Sequence, residues 1–316
     1  MKKEELVIGV DIGGTNTVIG LVDKHGNCIA TNRFSTADFP DVNNYVEELC
    51  VLIKQLFASY NSGIFIEQIK GIGIGAPNGN HYRGTIEYAP NLVWKGIIPL
   101  AKMVSDNLKV PVQLTNDAKA AAIGEMIFGG AKGMKNFIEI TIGTGLGSGI
   151  VANGELIYGH DGLAGELGHT IAIRNGRPCG CGRNGCLESY VSKRGIIQTY
   201  NELFKEENSI PDDDITPKHI EELARQGDKT AIKTYDETGR ILGQFFGDAV
   251  CFLEPEAIFI FGGIAQAGDL LLIPTKHYME TNMHHIYHGK VKILPSSLPG
   301  DTAAILGAAA MIWKMI

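Results

Sequence analysis

A strand, a bend rich in glycine and threonine, and a second strand occur twice in this chain, at residues 6–23 and again at 137–151. The first bend reads DIGGTNT and the second TIGTGLGSG. A third glycine pair, Gly262 and Gly263, closes the apolar run AIFIFGG. Short apolar runs ending in polar glycine bends, with amphipathic helices between them, describe an α/β protein built from two similar halves. Glycine is abundant because of these motifs: 40 of 316 residues, where average usage would give about 22. Clustered glycines mark turns and close backbone approaches rather than linkers.

The remaining segments fit this plan. Buried strands are expected at 6–10, 18–23, 28–36 and 69–77. A helix is expected from Asn43 or Asn44, as cap, to about 60. The run VPVQLTND leads directly into the helix AKAAAIGEMIFGG, and Asn153-Gly154 predicts a hairpin turn. A helix-rich segment spans about 191–253, broken by the PDDD loop near Pro211, and a final helix is capped by Asp301. Boundaries near Asp117 and Gly300 define a smaller domain of residues 1–117 plus 301–316 and a larger one of 118–300.

Apolar residues are 44% and charged residues 20%, enough for a buried core. The net charge of −7 comes without a basic stripe, which argues against a nucleic-acid partner. Glu4 and Glu5 stand where a secretory signal needs an apolar run, and the apolar stretch 303–316 is too short to span a bilayer. The expectation is a cytoplasmic protein with no membrane partner.

Three constellations carry chemistry. In Asp11-Ile-Gly13-Gly14-Thr15-Asn16, glycine N–H groups can cradle phosphate oxygens, Thr15 and Asn16 add donors, and Asp11 can orient hydrated Mg²⁺. The simpler reading is a hairpin turn of residues that tolerate positive φ. The second bend, with Thr144 and Gly145, favours phosphate. Asn116 and Asp117 sit at a strand's carboxyl end, where open α/β sheets bind ligands. There Asp117 could take a hydroxyl proton or serve merely as a helix cap. The third constellation is Glu166-x-x-His169 followed by Cys179-x-Cys181-x4-Cys186. Three thiolates and one imidazole make a closed tetrahedral site suited to structural Zn²⁺; buried or redox thiols are the other reading.

The segments DIGGTNT, APNLVW, TND, AGELGH and CGCGRNGCLE, in this order, resemble the ROK family of sugar kinases over essentially the whole chain. Within the family the similarity is greatest to bacterial glucokinases, with N-acetylmannosamine kinases close. The resemblance implies a two-domain actin/hexokinase-like (ribonuclease H-like) α/β fold with an interdomain cleft. It implies ATP-dependent phosphorylation of a hexose at the 6-hydroxyl, glucose before N-acetylmannosamine, N-acetylglucosamine or fructose, in a homodimer or higher homo-oligomer. Asp117 matches the general base. Asn91, Asn116, Glu166, His169 and Glu188 match sugar-binding positions. Asp11, Gly13, Gly14, Thr15, Asn16, Thr144, Gly145, Gly262 and Gly263 match the nucleotide side. His169, Cys179, Cys181 and Cys186 match the zinc ligands, so that His169 would meet metal and sugar through different ring nitrogens. Sugar-responsive repressors of the family carry an N-terminal helix-turn-helix, for which the start of the motif at Asp11 leaves no room.

One departure stands out. Many relatives have a G-x-P-G turn where this chain reads Gly75-Ala76-Pro77-Asn78-Gly79; asparagine also tolerates left-handed backbone, so the turn is expected to persist. His284, His285 and His288 are read as an exposed helix face, and Cys28, Cys50 and Cys251 as small core residues. Trp94 suits either packing or the sugar cleft.

Overall fold

The computed structural model describes residues 5–60, 69–206, 215–300 and 302–316. Strands β1 (Leu6–Ile12) and β2 (Asn16–Asp23) form the expected antiparallel hairpin, which β3 (Cys28–Ser35) extends. Helix α1 (Val42–Tyr60) is capped by Asp41 rather than Asn43 or Asn44: its carboxylate accepts the backbone N–H of Asn43 at 2.7 Å and of Asn44 at 3.3 Å. After β4 (Ile69–Ala76), short strands β5 (Gly79–Asn80), β6 (Thr85–Glu87) and β7 (Ile97–Ile98) make a separate small sheet. Next come α2 (Leu100–Leu108), β8 (Val112–Asn116) and α3 (Asp117–Ile127).

The motif then repeats as β9 (Phe137–Ile142) and β10 (Leu146–Ala152), followed by β11 (Glu155–Leu156). The turn after β10 is the predicted one, with Asn153 at φ 54° and Gly154 at φ 81°. Helices α4 (Glu188–Val191), α5 (Lys193–Glu206), α6 (Pro217–Arg225) and α7 (Lys229–Leu253) lead to β12 (Ala257–Phe261), α8 (Asp269–Asn282), β13 (Lys292–Pro295) and α9 (Ala303–Trp313). The PDDD run and Asp301 lie outside the described residues. The two five-stranded sheets have orders β3-β2-β1-β4-β8 and β11-β10-β9-β12-β13. In each, an antiparallel hairpin supplies the strand that continues the sheet in parallel.

The chain divides into two compact units of near-equal size. The first holds the residues up to Gly133, Leu156–Ala164 and Ser297–Ile316; the second holds Met134–Glu155 and Gly165–Ser296. The division therefore falls after α3, not at Asp117. The reason is packing. A Cβ on Gly124 of α3 would lie 2.8 Å from the Cα of Gly307 in α9, so the two helices cross with backbone against backbone. α3 belongs with the sheet that α9 covers.

That cover is unusually close. Gly9 of β1 pairs in register with Gly20 of β2 on one side and with Gly73 of β4 on the other. The three form a row without side chains, and α9 lies in it. A Cβ on Gly9 would overlap the carbonyl of Ile305, one on Gly20 the Ile305 side chain, and one on Gly73 the carbonyl of Ala308. α9 is accordingly buried along nearly its whole length.

Residues 156–164 are bound to the first unit by several independent contacts. The Asn80 amide donates to the Asp161 carbonyl at 2.8 Å, and Arg83 pairs with the Asp161 carboxylate at 2.5 Å. The Tyr158 ring stacks on His81 at 4.1 Å. Lys119 is buried and donates from Nζ to the Gly162 carbonyl at 3.0 Å.

Several smaller expectations resolve. Trp94 is packed, its ring 4.4 Å from Tyr45 and its Nε1 donating to the Phe39 carbonyl at 2.9 Å. Cys50 is buried, but Cys28 is half-buried and Cys251 exposed. Cys251 follows buried Val250 near the end of α7, and the helical rotation turns it outward with Phe252. The histidine tract is exposed as expected, yet it forms a 3-10 turn at His285–Tyr287 rather than a helix face. α8 has ended at Asn282, and His284 caps the new turn by accepting the Ile286 N–H at 3.3 Å.

The glycine row yields a prediction. Gly73→Ala sets a methyl against the backbone of α9, which cannot move without lifting off the sheet. A loss of at least about 2 kcal/mol is expected, read as a lower urea midpoint at unchanged m-value.

Candidate active site

The first sheet brings its functional groups to the carboxyl ends of its parallel strands. Asp11 pairs in register with Gly75 of β4, Gly75 with Thr115 of β8, and Ala76 with Asn116. Asp11, near the end of β1, and Asp117, which opens α3, thus share one rim. Asn116 carries the capping duty: its side-chain oxygen accepts the N–H groups of Ala118 at 3.0 Å and Lys119 at 3.3 Å. Asp117, the first helical residue, receives only the Ala118 N–H at 2.8 Å from this set. The helix does not need Asp117 as its cap.

Asp117 keeps surface open to solvent while protein surrounds it closely. Desolvation raises its pKa, against hydrogen bonds from the backbone of Ala118, its own N–H and Asn116, and against the charge of Lys119. Asp11 is pushed up to about 6, first by desolvation and then by the charge of Asp117. A carboxyl whose proton affinity is raised by burial and by a neighbouring carboxylate is a common feature of sites that handle protons or cations.

The DIGGTN bend is tight, with the Gly13 N–H donating to the Asn16 carbonyl at 2.9 Å. Neither Gly13 nor Gly14 has positive φ, so turn conformation is not why glycine stands there. A Cβ on Gly14 would overlap the carbonyl of Asn91, which brings the APNL segment against the loop. Thr15 and Asn16 are exposed. The departing turn is intact: Asn78 adopts φ 51°, and its amide donates to the Glu87 carbonyl at 3.0 Å.

In the second unit, Gly143, Thr144 and Gly145 connect β9 to β10, and Gly262 and Gly263 follow β12. Gly262 has φ 107°, and a Cβ there would overlap the Ile142 carbonyl, so only glycine fits. Gly143 and Gly263 meet nothing within 4 Å at a Cβ position; both open into a cavity of about 530 Å³. Thr144, Lys193, Lys218 and Glu221 line it as well. The Lys193 N–H donates to the Gly143 carbonyl at 2.9 Å, tying the start of α5 to the loop. Sequence reasoning missed Lys193, Lys218 and Glu221. They lie on α5 and α6 outside any motif; only the capped start of α6, Thr216 before Pro217, is visible in the sequence.

His169, Cys179, Cys181 and Cys186 come together, their ligand atoms all within 4.8 Å of one another. His169 Nδ1 lies 3.6 Å from Cys179 Sγ, and Cys181 Sγ lies 3.6 Å from Cys186 Sγ. With metal–sulfur bonds of about 2.3 Å and metal–nitrogen bonds of about 2.0 Å, the edges of a tetrahedral site are about 3.5–3.8 Å. The donor set and its spacing fit such an ion. Desolvation and the neighbouring thiols push Cys186 up to about 12, a proton affinity that a cation would reverse. Among the described residues no other histidine, cysteine or carboxylate group converges in this way.

Glu188 connects this cluster to the glycine loop. Its Oε2 accepts the Leu146 N–H at 2.8 Å, and its Oε1 lies 3.9 Å from Cys179 Sγ. Glu166 opens the 3-10 turn Leu167–His169, its carbonyl accepting the His169 N–H at 3.1 Å. Of the expected sugar-side residues, Asn91, Asn116 and Asp117 are in the first unit and Glu166, His169 and Glu188 in the second.

Comparison with known proteins agrees with these motifs. The ROK family model matches residues 7–315. The chain belongs to the ROK family. It is 36% identical over 320 residues to a glucokinase of Streptomyces coelicolor, covering 96% of each chain. It is 30% identical over 312 residues to a xylose repressor of Bacillus spizizenii, covering 98% of this chain and 78% of the repressor. The crystal structure of a ROK glucokinase from Streptomyces griseus, in complex with glucose and AMPPNP, superposes with a TM-score of 0.79 at 33% identity, covering 97% of this chain and 98% of that one. The ROK family member described here therefore has the two-domain actin/hexokinase-like α/β fold. No helix among its described residues is long and apolar enough to cross a membrane.

The raised Asp11 carboxyl predicts a pH dependence of stability. A carboxyl with a raised folded-state pKa takes up its proton before the unfolded chain does. Its contribution is therefore full at low pH, falls from about pH 4 to about pH 6, and is level above. Asp117→Asn removes one charge of the pair. The variant is expected to show a shallower decline across this window, read from urea midpoints at each pH.

Proposed function

We propose that this protein is an ATP-dependent hexose kinase that phosphorylates the 6-hydroxyl of its sugar, with glucose as preferred acceptor. The observation that carries the reading is Asp117, released from capping by Asn116, at the strand-end rim beside Asp11. The kinship with glucokinases at 36% identity over nearly the whole chain supports it.

Phosphoryl transfer depends on positioning and charge neutralisation more than on covalent chemistry. Asp117 accepts the proton of the attacking 6-hydroxyl, and desolvation raises its proton affinity, which suits a general base. Asn91, Asn116, Glu166, His169 and Glu188 bind the other hydroxyls, so a sugar lacking one would leave polar groups unpaired. The bends at 13–16 and 143–145, with Gly262 and Gly263, present backbone to the donor's phosphates, and the 530 Å³ cavity receives its nucleoside. Asp11 would hold Mg²⁺ through its hydration shell, supplying charge neutralisation at the phosphates. His169, Cys179, Cys181 and Cys186 would hold Zn²⁺, which fixes the His169 ring and leaves its other nitrogen for the sugar.

The presence of xylose repressors among the relatives makes a sugar-responsive repressor the second reading. One assay separates the two. Coupled ADP release is measured over glucose, mannose, fructose, N-acetylglucosamine and N-acetylmannosamine. The highest kcat/KM is expected with glucose; faster turnover of an N-acetylated sugar rejects that assignment, and no ADP release with any sugar favours the repressor. Asp117→Asn is expected to keep sugar binding in calorimetry and to lose about 10²–10⁴ in kcat. For the metal, elemental analysis is expected to find one zinc per chain, absent in Cys181→Ser; metal-free wild-type protein with full sugar affinity would remove the zinc from the account.

A further inference from the structure

The cavity in the second unit has one acidic side chain in its lining, Glu221. It lies one helical turn beyond Pro217 at the start of α6 and is largely buried, its side chain 21% exposed. Its Oε1 accepts Arg225 Nε at 2.9 Å. The same guanidinium donates to the Ala267 carbonyl at 3.1 Å, in the segment that begins at Gly263. Arg225 thus clamps the carboxylate between two walls of the cavity. Below it the Tyr235 hydroxyl donates to the Pro217 carbonyl at 3.1 Å, and Thr216 Oγ1 caps the helix by accepting the His219 N–H at 3.2 Å. The carboxylate is held by a rigid support, as a recognition group must be.

Its chemistry sets its partner. A carboxylate only accepts hydrogen bonds. A triphosphate offers acceptors and negative charge, which Glu221 would repel and which suit Lys193, Lys218 and the glycine backbone. The donors of a nucleoside triphosphate are in its other half: the exocyclic amine of the base and the hydroxyls of the ribose. We propose that Glu221 is the specificity-determining residue for the phosphoryl donor, accepting a hydrogen bond from the nucleoside. This inference rests on the reading that the cavity receives the nucleotide.

The test uses the full-length protein with glucose as acceptor and ATP, ITP, 2′-deoxy-ATP and 3′-deoxy-ATP as donors. ITP replaces the amine by a carbonyl, and the deoxy analogues each remove one hydroxyl. Wild-type protein is expected to use at least one of them with kcat/KM about tenfold or more below that for ATP. Glu221→Gln and Glu221→Ala are expected to abolish that discrimination and to raise KM for ATP about tenfold with kcat nearly unchanged, the signature of lost ground-state binding. The analogue that ceases to be discriminated identifies amine or ribose as the partner. Unchanged KM and unchanged donor ratios in both variants would overturn the proposal. Ile264→Trp, which fills the cavity, separates the two levels of the argument. If it raises KM for ATP while the Glu221 variants do not, Glu221 alone is rejected; if it leaves KM for ATP unchanged, the cavity is not the nucleotide site and both fall.

Discussion

The row Gly20, Gly9, Gly73 is the constraint on which the first unit depends. Three side chains of a single hydrogen set a trough across three strands, and α9 occupies it at backbone distance. α9 in turn fixes α3, because Gly307 meets α3 where only glycine on both sides permits the crossing. The depth of α3 decides where Asp117 stands. Two residues beyond Gly9 and Gly73 along their strands are Asp11 and Gly75, and a Cβ on Gly75 would lie 3.6 Å from the Cα of Asp117. The separation of the two carboxyls is thus set by close packing in the core, where even a methyl group is felt.

The second unit repeats the sheet plan and uses its strand ends differently. No carboxylate opens its glycine bend; Gly143 and Gly263 leave open space instead. Glu188 ties that bend to the cysteine and histidine cluster through the Leu146 N–H. A side chain expected at the sugar is therefore also a strut for the loop. One architecture sets two carboxylates at the strand ends of one copy and open glycine backbone at those of the other.

Much of this was legible in the sequence because it depends on local rules. The two hairpins, the Asn153-Gly154 turn, the left-handed Asn78 and the convergence of His169 with three cysteines follow from spacing and backbone preference. Features that depend on long-range register were not legible. The Gly9, Gly20 and Gly73 row has no local signature, and with it the domain boundary at Asp117 was misplaced. Asp41 lost to Asn43 and Asn44 because helix caps shift by a residue or two without changing the apolar period. Cys251 looked like core from its apolar neighbours, although the end of α7 turns it outward. Glu221 is an ordinary surface-helix acid in the sequence and gains significance only when Gly263 and Gly143 face it across a cavity.

The order in which these parts emerge from a ribosome has a consequence. β1, β2 and β4 are made early, but the helix that fills their trough is translated after every other described element. Until then the nascent sheet exposes a bare glycine groove flanked by apolar strands, and the second unit is complete before the first can close. The first unit is the one that must wait for its last helix.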